Sequence, residues 1–263
     1  MADFDDIVCD MVRRSEATRA AIPMSADIAY GHGPDETIDL FFPPGRRRGL
    51  PVHMFVHGGY WRMFSKRDYS YVADTVTKAG AIAVIVDYAL MPAVRMAVIV
   101  EQLRRAKQWV IENIASYGGN PSQLTISGHS AGAHLSTFLF NQTQSSSGIR
   151  AALLLGGIFD LKPLQSSFLH PEIGITDTEV EEFSPLGHRH DPHTYVDILV
   201  GAEETPPFHL QAGNFAIELR RQGLSVSRRQ LPRRNHMSSV RDLGTTGSAA
   251  YERLSRLIGT ERH

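Results

Sequence analysis

Leu124-Thr125-Ile126-Ser127-Gly128-His129-Ser130-Ala131-Gly132 is the stretch on which the fold turns: an apolar, β-branched run passes through a Gly-x-Ser-x-Gly turn into the helical pattern Ala131 to Phe140. A strand that reverses into a helix over so few residues holds the central serine strained at the tip, with its hydroxyl presented at the end of the strand. A side chain at either flanking glycine would collide with the neighbouring strand or helix. The helix N-terminus and the amide of Ala131 then point positive charge at any oxyanion that forms beside Ser130. The competing reading, a glycine-rich turn with an incidental serine, accounts for neither the strand before it nor the helix after it.

Working outward, His57-Gly58-Gly59-Tyr60-Trp61 directly follows the apolar run Val52 to Val56. Two residues without side chains let a backbone approach a substrate oxygen closely, so the amides of Gly58 and Gly59 are the expected partners of Ala131 in an oxyanion hole, with Tyr60 as a third donor. His57 is expected to brace this loop rather than to transfer protons. A plain Gly-Gly turn is the alternative.

Around these motifs, short β-branched runs alternate with longer helical patterns, the signature of a mainly parallel sheet covered on both faces. The expected strands are 28–30, 37–42, 52–56, 81–86, 124–127, 151–155, 196–200 and 225–230, and the expected helices 69–79, 96–117, 131–140, 208–222 and 248–257. Gly118-Gly119-Asn120-Pro121 stops the second of these helices. The pattern is that of one α/β domain over residues 1–263, with two departures. Residues from about 160 to 193, rich in proline and mixed in polarity, read as a cap insertion, and an opening segment, 1–25, helical from Phe4 to Ala21, reads as a second piece of lid.

A serine hydroxyl is a poor nucleophile at neutral pH and needs an imidazole, itself oriented by a carboxylate. In the α/β-hydrolase fold, to which such a serine turn points, the acid and then the histidine follow the serine on loops after late strands. His236, in Arg234-Asn235-His236-Met237 just past the last expected strand, fits the order, and His263 at the chain end does not. For the acid, Gly201-Ala202-Glu203-Glu204-Thr205-Pro206 follows the seventh strand. Glu204 is favoured over Glu203, and Asp197 ranks behind both because it falls within the strand. The cluster His188-Arg189-His190-Asp191-Pro192-His193 invites a metal-site reading, but it lies in the irregular segment without a partner carboxylate at helical spacing and reads as a polar loop. His129 and His134 read as residues that pack or cap locally.

Composition narrows the remaining choices. The 263 residues carry 27 Lys plus Arg against 28 Asp plus Glu, so no global field recruits nucleic acid or an anionic membrane. The basic run Arg46 to Arg48 reads as a solvated turn, and Gln144 to Gly148 as a short polar loop. Cys9 is the single cysteine, which excludes an intrachain disulfide and a multi-cysteine metal site. The acidic start, Met1 to Asp6, does not resemble a signal peptide, and the longest apolar stretch is broken by Asp87, Pro92 and Arg95, so a cytoplasmic location without a membrane span is expected.

The two motifs together resemble the kynurenine formamidase (arylformamidase) branch of the α/β-hydrolases, which adjoins the hormone-sensitive-lipase-like esterases. Tyr30-Gly31, Ile38-Asp39-Leu40 with Pro43, Gly157-Ile158-Phe159-Asp160-Leu161-Lys162-Pro163-Leu164 and Glu204-Thr205-Pro206-Pro207-Phe208-His209-Leu210-Gln211 extend the likeness from about residue 28 to the end. The resemblance implies a triad of Ser130, Glu204 and His236, with Glu204 standing where better-known members carry Asp. It also implies an eight-stranded, mostly parallel sheet and hydrolysis of a small aromatic formamide, amide or ester through an acyl-enzyme that requires no metal or organic cofactor. Tyr60, Trp61 and Phe159 are the expected walls for an aromatic acyl substrate. The alternatives are a carboxylesterase acting on aryl or short acyl esters and a non-catalytic binding protein on the same fold, which would lack a triad member. Neither nucleic acid nor membrane is expected as a partner, and a homodimer is compatible with the chain.

Overall fold

The computed structural model describes residues 4–45, 48–142 and 145–259. Arg46 and Arg47 of the basic run, Gln144 of the polar patch, the first three residues of the acidic start and His263 lie outside the described residues.

Along the chain run α1 (Phe4–Ala21), β1 (Met24–Ala29), β2 (Thr37–Phe41), β3 (Leu50–Val56), α2 (Val72–Lys78), β4 (Ile82–Val86), α3 (Met96–Asn113), β5 (Gly119–His129), α4 (Ala131–Thr137) and β6 (Ile149–Leu155). After β6 come two short helices, α5 (His170–Ile173) and α6 (Asp177–Phe183), then β7 (Tyr195–Gly201), α7 (Pro206–Arg221), β8 (Val226–Leu231), α8 (His236–Arg241) and α9 (Ala249–Gly259). The strands form one eight-stranded sheet in the order β1-β2-β4-β3-β5-β6-β7-β8. β1 and β2 join it antiparallel and every later pairing is parallel.

Strands covered on both faces read as continuous apolar runs. In β4, Ile82-Ala83-Val84-Ile85-Val86 is buried throughout. Its side chains still divide by the period of two: Ile82, Val84 and Val86 join the core that holds Ile99 and Leu103 of α3 and Phe215 of α7, whereas Ala83 and Ile85 join the core that holds Val72 and Val76 of α2 and Leu254 and Leu257 of α9. The outer strand β8 carries Arg228 and Arg229, charges that discourage pairing with another chain. Among the described residues no helix is long and apolar enough to cross a membrane.

Several expected elements shift. The opening helix spans Phe4–Ala21 as expected, but β1 begins at Met24, four residues before the expected start. A register irregularity between Ser25 and Ile28, with Asp27 at φ 53°, interrupts the alternation that would have marked this strand. The helix expected from Tyr69 begins at Val72, which leaves Tyr69 in the preceding turn, fully buried. Helix α8 has no counterpart among the expected elements, since six residues are too few to show a helical period.

Helix α1 is tied to the sheet through a buried charge cluster. Arg19 pairs with the fully buried Asp39 of β2, whose other oxygen accepts the Asp27 amide at 2.8 Å and lies 3.4 Å from the ammonium of the almost fully buried Lys66. Lys66 also reaches Asp27 at 2.7 Å. Removing one charge from such a cluster strands the others in low dielectric. Asp39→Asn should therefore cost about 3–5 kcal/mol, read as a lower urea midpoint at unchanged slope. A loss below about 1 kcal/mol would mean that the cluster behaves like an exposed ion pair.

Candidate active site

The turn between β5 and α4 has the geometry its glycines require. Ser130 sits at φ 55°, ψ −118°, a conformation that costs a non-glycine residue about 1–3 kcal/mol and that its surroundings must enforce. They do so by backbone contact: a Cβ on Gly128 would stand 2.3 Å from the carbonyl oxygen of Gly132, and one on Gly132 would stand 2.1 Å from that of Val56. The Ser130 amide donates to the Leu155 carbonyl at 2.8 Å, which anchors the turn to β6. Ala131 opens α4, so its amide is one of the helix's orphan donors.

His236 is the first residue of α8. Asn235 caps that helix, its side-chain oxygen accepting the amides of Met237 at 3.1 Å and Ser238 at 2.8 Å while the Ser238 hydroxyl accepts the Asn235 amide at 2.9 Å. This reciprocal cap fixes the backbone from which the imidazole projects. His236 Nδ1 donates to Glu204 Oε2 at 2.7 Å, and Glu204 Oε1 accepts the Gly201 amide at 2.8 Å. The Glu204 side chain is fully buried, whereas that of His236 is 21% exposed. Because a carboxylate only accepts, the proton resides on Nδ1 and leaves Nε2 as the basic nitrogen. Of the three candidate acids, Glu204 alone meets His236: Glu203 is exposed at the cavity rim, and Asp197 pairs with Arg253 at 2.5 Å. Beneath the His–Glu pair lies Gly156 at φ 56°, where a Cβ would come within 3.0 Å of the imidazole and 3.2 Å of Glu204 Oε1.

The loop after β3 runs through three successive left-handed residues, Gly59 (φ 110°), Tyr60 (55°) and Trp61 (59°). His57 braces it, donating from Nδ1 to the Gly58 carbonyl at 2.8 Å and stacking on Tyr88 at 4.2 Å, while the Tyr88 hydroxyl donates to the His57 carbonyl. Gly59 and Tyr60 line the cavity beside Ser130. Gly58, expected as an oxyanion donor, does not. A Cβ there would meet the carbonyl oxygen of His129 at 2.8 Å, so this residue is packed against the end of β5.

Two expected pocket walls belong instead to the core. Trp61 is fully buried and donates through Nε1 to His134 Nδ1 at 3.2 Å, and His134 Nε2 donates onward to the Phe183 carbonyl at 2.7 Å. Burial holds His134 neutral, down to about 4. Phe159 stacks on Phe215 at 4.1 Å. Both face away because indole N–H and aromatic area found better partners in the core than in an open cleft.

The cavity itself measures about 340 Å³, a small-molecule size. Ser130, His236, Tyr60 and Glu204 share it with walls that the sequence did not single out: Phe4 and Ile7 of α1, Phe64, Tyr69, Phe168 and Phe208. Phe208 packs on the His236 ring at 4.6 Å, and Phe168, 71% exposed, meets Tyr60 edge-on at 5.9 Å. Phe208 stands four residues after Glu204, and this nearness was the one signal available. The segment 160–193 is fastened next to this rim by Arg95, which bonds the carbonyls of Ile173 and Gly174 and pairs with Glu179, and by an Arg62–Glu172 pair.

The histidine cluster of that segment is occupied with local bonds. His188 Nε2 reaches the Glu182 carbonyl at 2.9 Å, His190 lies between Asn141 and the Pro185 carbonyl, and Asp191 accepts the amides of Ser147 and His193. Among the described residues, no group of three or more His, Cys, Asp or Glu is arranged to hold a metal ion.

Comparison with known proteins adds three findings. A family described as the alpha/beta hydrolase fold matches residues 53–239. A kynurenine formamidase of Danio rerio is 28% identical over 254 residues, covering 93% of this chain and 85% of that one, and the esterase LipQ of Mycobacterium tuberculosis is 28% identical over 240 residues, 81% of this chain and 56% of its own. A crystal structure of a candidate thioesterase from Silicibacter superposes with a TM-score of 0.84 at 23% identity, covering 98% of this chain and 94% of that one.

The glycine beneath the His–Glu pair makes a test that needs no substrate. Gly156→Ala places a methyl group against the imidazole at a strained φ and should cost about 1–3 kcal/mol of stability. It should also abolish the downfield proton resonance of a histidine Nδ1–H bound to carboxylate. Retention of that resonance at wild-type position and intensity would mean that His236 and Glu204 tolerate the methyl group without moving apart.

Proposed function

This chain belongs to the α/β-hydrolase family and is a hydrolase of the formamidase or esterase kind, and from that premise we propose that Ser130 is its nucleophile, cleaving a small aromatic formamide, amide or ester. The observation that carries the proposal is one cavity holding both a serine at φ 55° and an imidazole whose Nδ1 is engaged at 2.7 Å by a buried carboxylate.

In the proposed mechanism, His236 Nε2 takes the hydroxyl proton as Ser130 Oγ bonds to the substrate carbonyl carbon. The carbonyl π electrons move onto oxygen, and that oxyanion is held by the amides of Gly59, Tyr60 and Ala131. Collapse expels the amine or alcohol, which leaves with the proton from His236 and produces an acyl-serine. Water, deprotonated by His236, then attacks the acyl carbon, and Ser130 recovers its proton as the carboxylic acid departs. Glu204 stabilises the imidazolium at both transfers without taking its proton. The aromatic lining of the cavity favours an aromatic group on the substrate, and Phe208 against the imidazole sets one wall for it. The esterase relative keeps a second reading alive, hydrolysis of aryl or short acyl esters on the same machinery.

Two sets of rates separate these possibilities. Ser130→Ala should lower turnover by roughly 10⁵-fold or more with folding retained. Glu204→Gln should cost about 10³–10⁴-fold, while Glu203→Gln should leave the rate within about threefold, as an exposed rim charge would. Wild-type activity in Ser130→Ala would sink the serine mechanism. With the wild-type enzyme, kcat/KM for N-formylkynurenine beside matched aryl acetates and an anilide decides the substrate class: preference for the formamide supports the formamidase reading, and preference for the acetates supports the esterase.

A further inference from the structure

Two buried side chains beside the cavity have no part in the acyl-transfer steps yet touch both halves of the machinery. Tyr69, in the turn before α2, is packed among Phe55, His57, Phe64 and Tyr71. Its hydroxyl lies 3.5 Å from His129 Nδ1, and its ring faces that of His57 with centres 6.1 Å apart. His129 is 1% exposed, packs tilted against His236 with ring centres 4.5 Å apart, and places Nε2 at 3.1 Å from the backbone carbonyl oxygen of His236.

The chemistry of the three groups assigns every proton. A carbonyl can only accept, so His129 carries its proton on Nε2. Burial holds this ring well below the usual histidine range, so it stays neutral and Nδ1 is a bare acceptor. Tyr69 is pushed up by the same desolvation, keeps its proton, and supplies the O–H that Nδ1 needs. The bonds therefore run in one direction: Tyr69 O–H to His129 Nδ1, and His129 Nε2–H to the His236 carbonyl.

We propose that Tyr69 and His129 are positioning residues that fix the distance between the loop carrying the oxyanion donors and the backbone carrying His236. The proposal rests on the serine-hydrolase reading. Tyr69 meets the loop at His57, whose ring it faces, while Gly59 and Tyr60 are the loop's cavity face. Residues 57–60 and 236 are far apart in sequence, and Tyr69 and His129 form one side-chain route between them.

Nitrogen-15 NMR of histidine-labelled protein, without substrate, reads the first half of the proposal. His129 should show the Nε2–H tautomer, and Tyr69→Phe should leave that tautomer in place while shifting the Nδ1 resonance toward that of an imidazole nitrogen without a hydrogen bond. An Nδ1–H tautomer in the wild type, or an Nδ1 resonance unmoved by Tyr69→Phe, overturns the chain, and this result stands even if Ser130→Ala remains active. Kinetics on an aryl acetate read the second half. Tyr69→Phe and His129→Phe should each lower kcat roughly tenfold with KM nearly unchanged, His129→Gln should recover part of the loss by restoring a donor to the His236 carbonyl, and the double variant should be no slower than the slower single. Additive losses, or losses confined to KM, overturn the positioning role while leaving an inactive Ser130→Ala intact as support for the mechanism. Should the His129 variants not fold, the tautomer and the Tyr69→Phe split of kcat from KM still decide it.

Discussion

The structure around the site depends on one close approach of backbones. Helix α4 begins where Gly132 lies against the carbonyls of Val56 and His57, at a distance that leaves no room for a Cβ. That contact seats the helix over the end of β3, and the chain can then enter α4 from β5 only through the positive φ of Ser130. It also fixes where β3 must end, and with it the origin of the loop that bears Gly59 and Tyr60. Serine turn, Gly59–Tyr60 loop and helix N-terminus are thus set by a single steric condition rather than by three separate ones. The parallel register β4-β3-β5-β6 supplies the platform that keeps those strand ends level.

This condition is written in a short pentapeptide, which is why the central part of the fold and the serine were legible. The long apolar runs of β3, β4, β6 and β7 were equally plain, since burial on both faces selects the same residue types at every position. Chain order led to His236 and Glu204, and the geometry distinguishes Glu204 from Glu203 by a feature that sequence does not carry: which of two adjacent side chains turns toward Gly201 and His236. Adjacent residues in a loop point in different directions, and composition says nothing about which one is buried.

The cavity walls were illegible for a different reason. Trp61 and Phe159 are near the motifs in sequence but lie in the core, whereas Phe4, Ile7 and Phe168 are distant in sequence and line the cavity. An aromatic residue near a functional loop serves packing and binding equally well as a residue type, and only the tertiary arrangement decides. Gly58 illustrates the same limit on the backbone. Two adjacent glycines looked equivalent as amide donors, but Gly59 at φ 110° faces the cavity and Gly58 is packed against His129.

Three of the buried histidines, His53, His129 and His134, differ from His236 in what holds their ring nitrogens. His53 lies within the sheet between the hydroxyls of Thr125 and Ser127, and burial pushes it down to about 3. His134 is bound by Trp61 and Phe183, and His129 is pinned to the carbonyl of His236. Each is held neutral by burial and has both ring nitrogens engaged by neutral partners, so it can gain a proton only by breaking a bond in a low-dielectric interior. His236 differs in both respects. Its partner at Nδ1 is a carboxylate, which stabilises the imidazolium once it forms, and its side chain is open to the cavity. A charged partner on one nitrogen and an open face on the other make it the imidazole best suited among the four to take a proton and give it back.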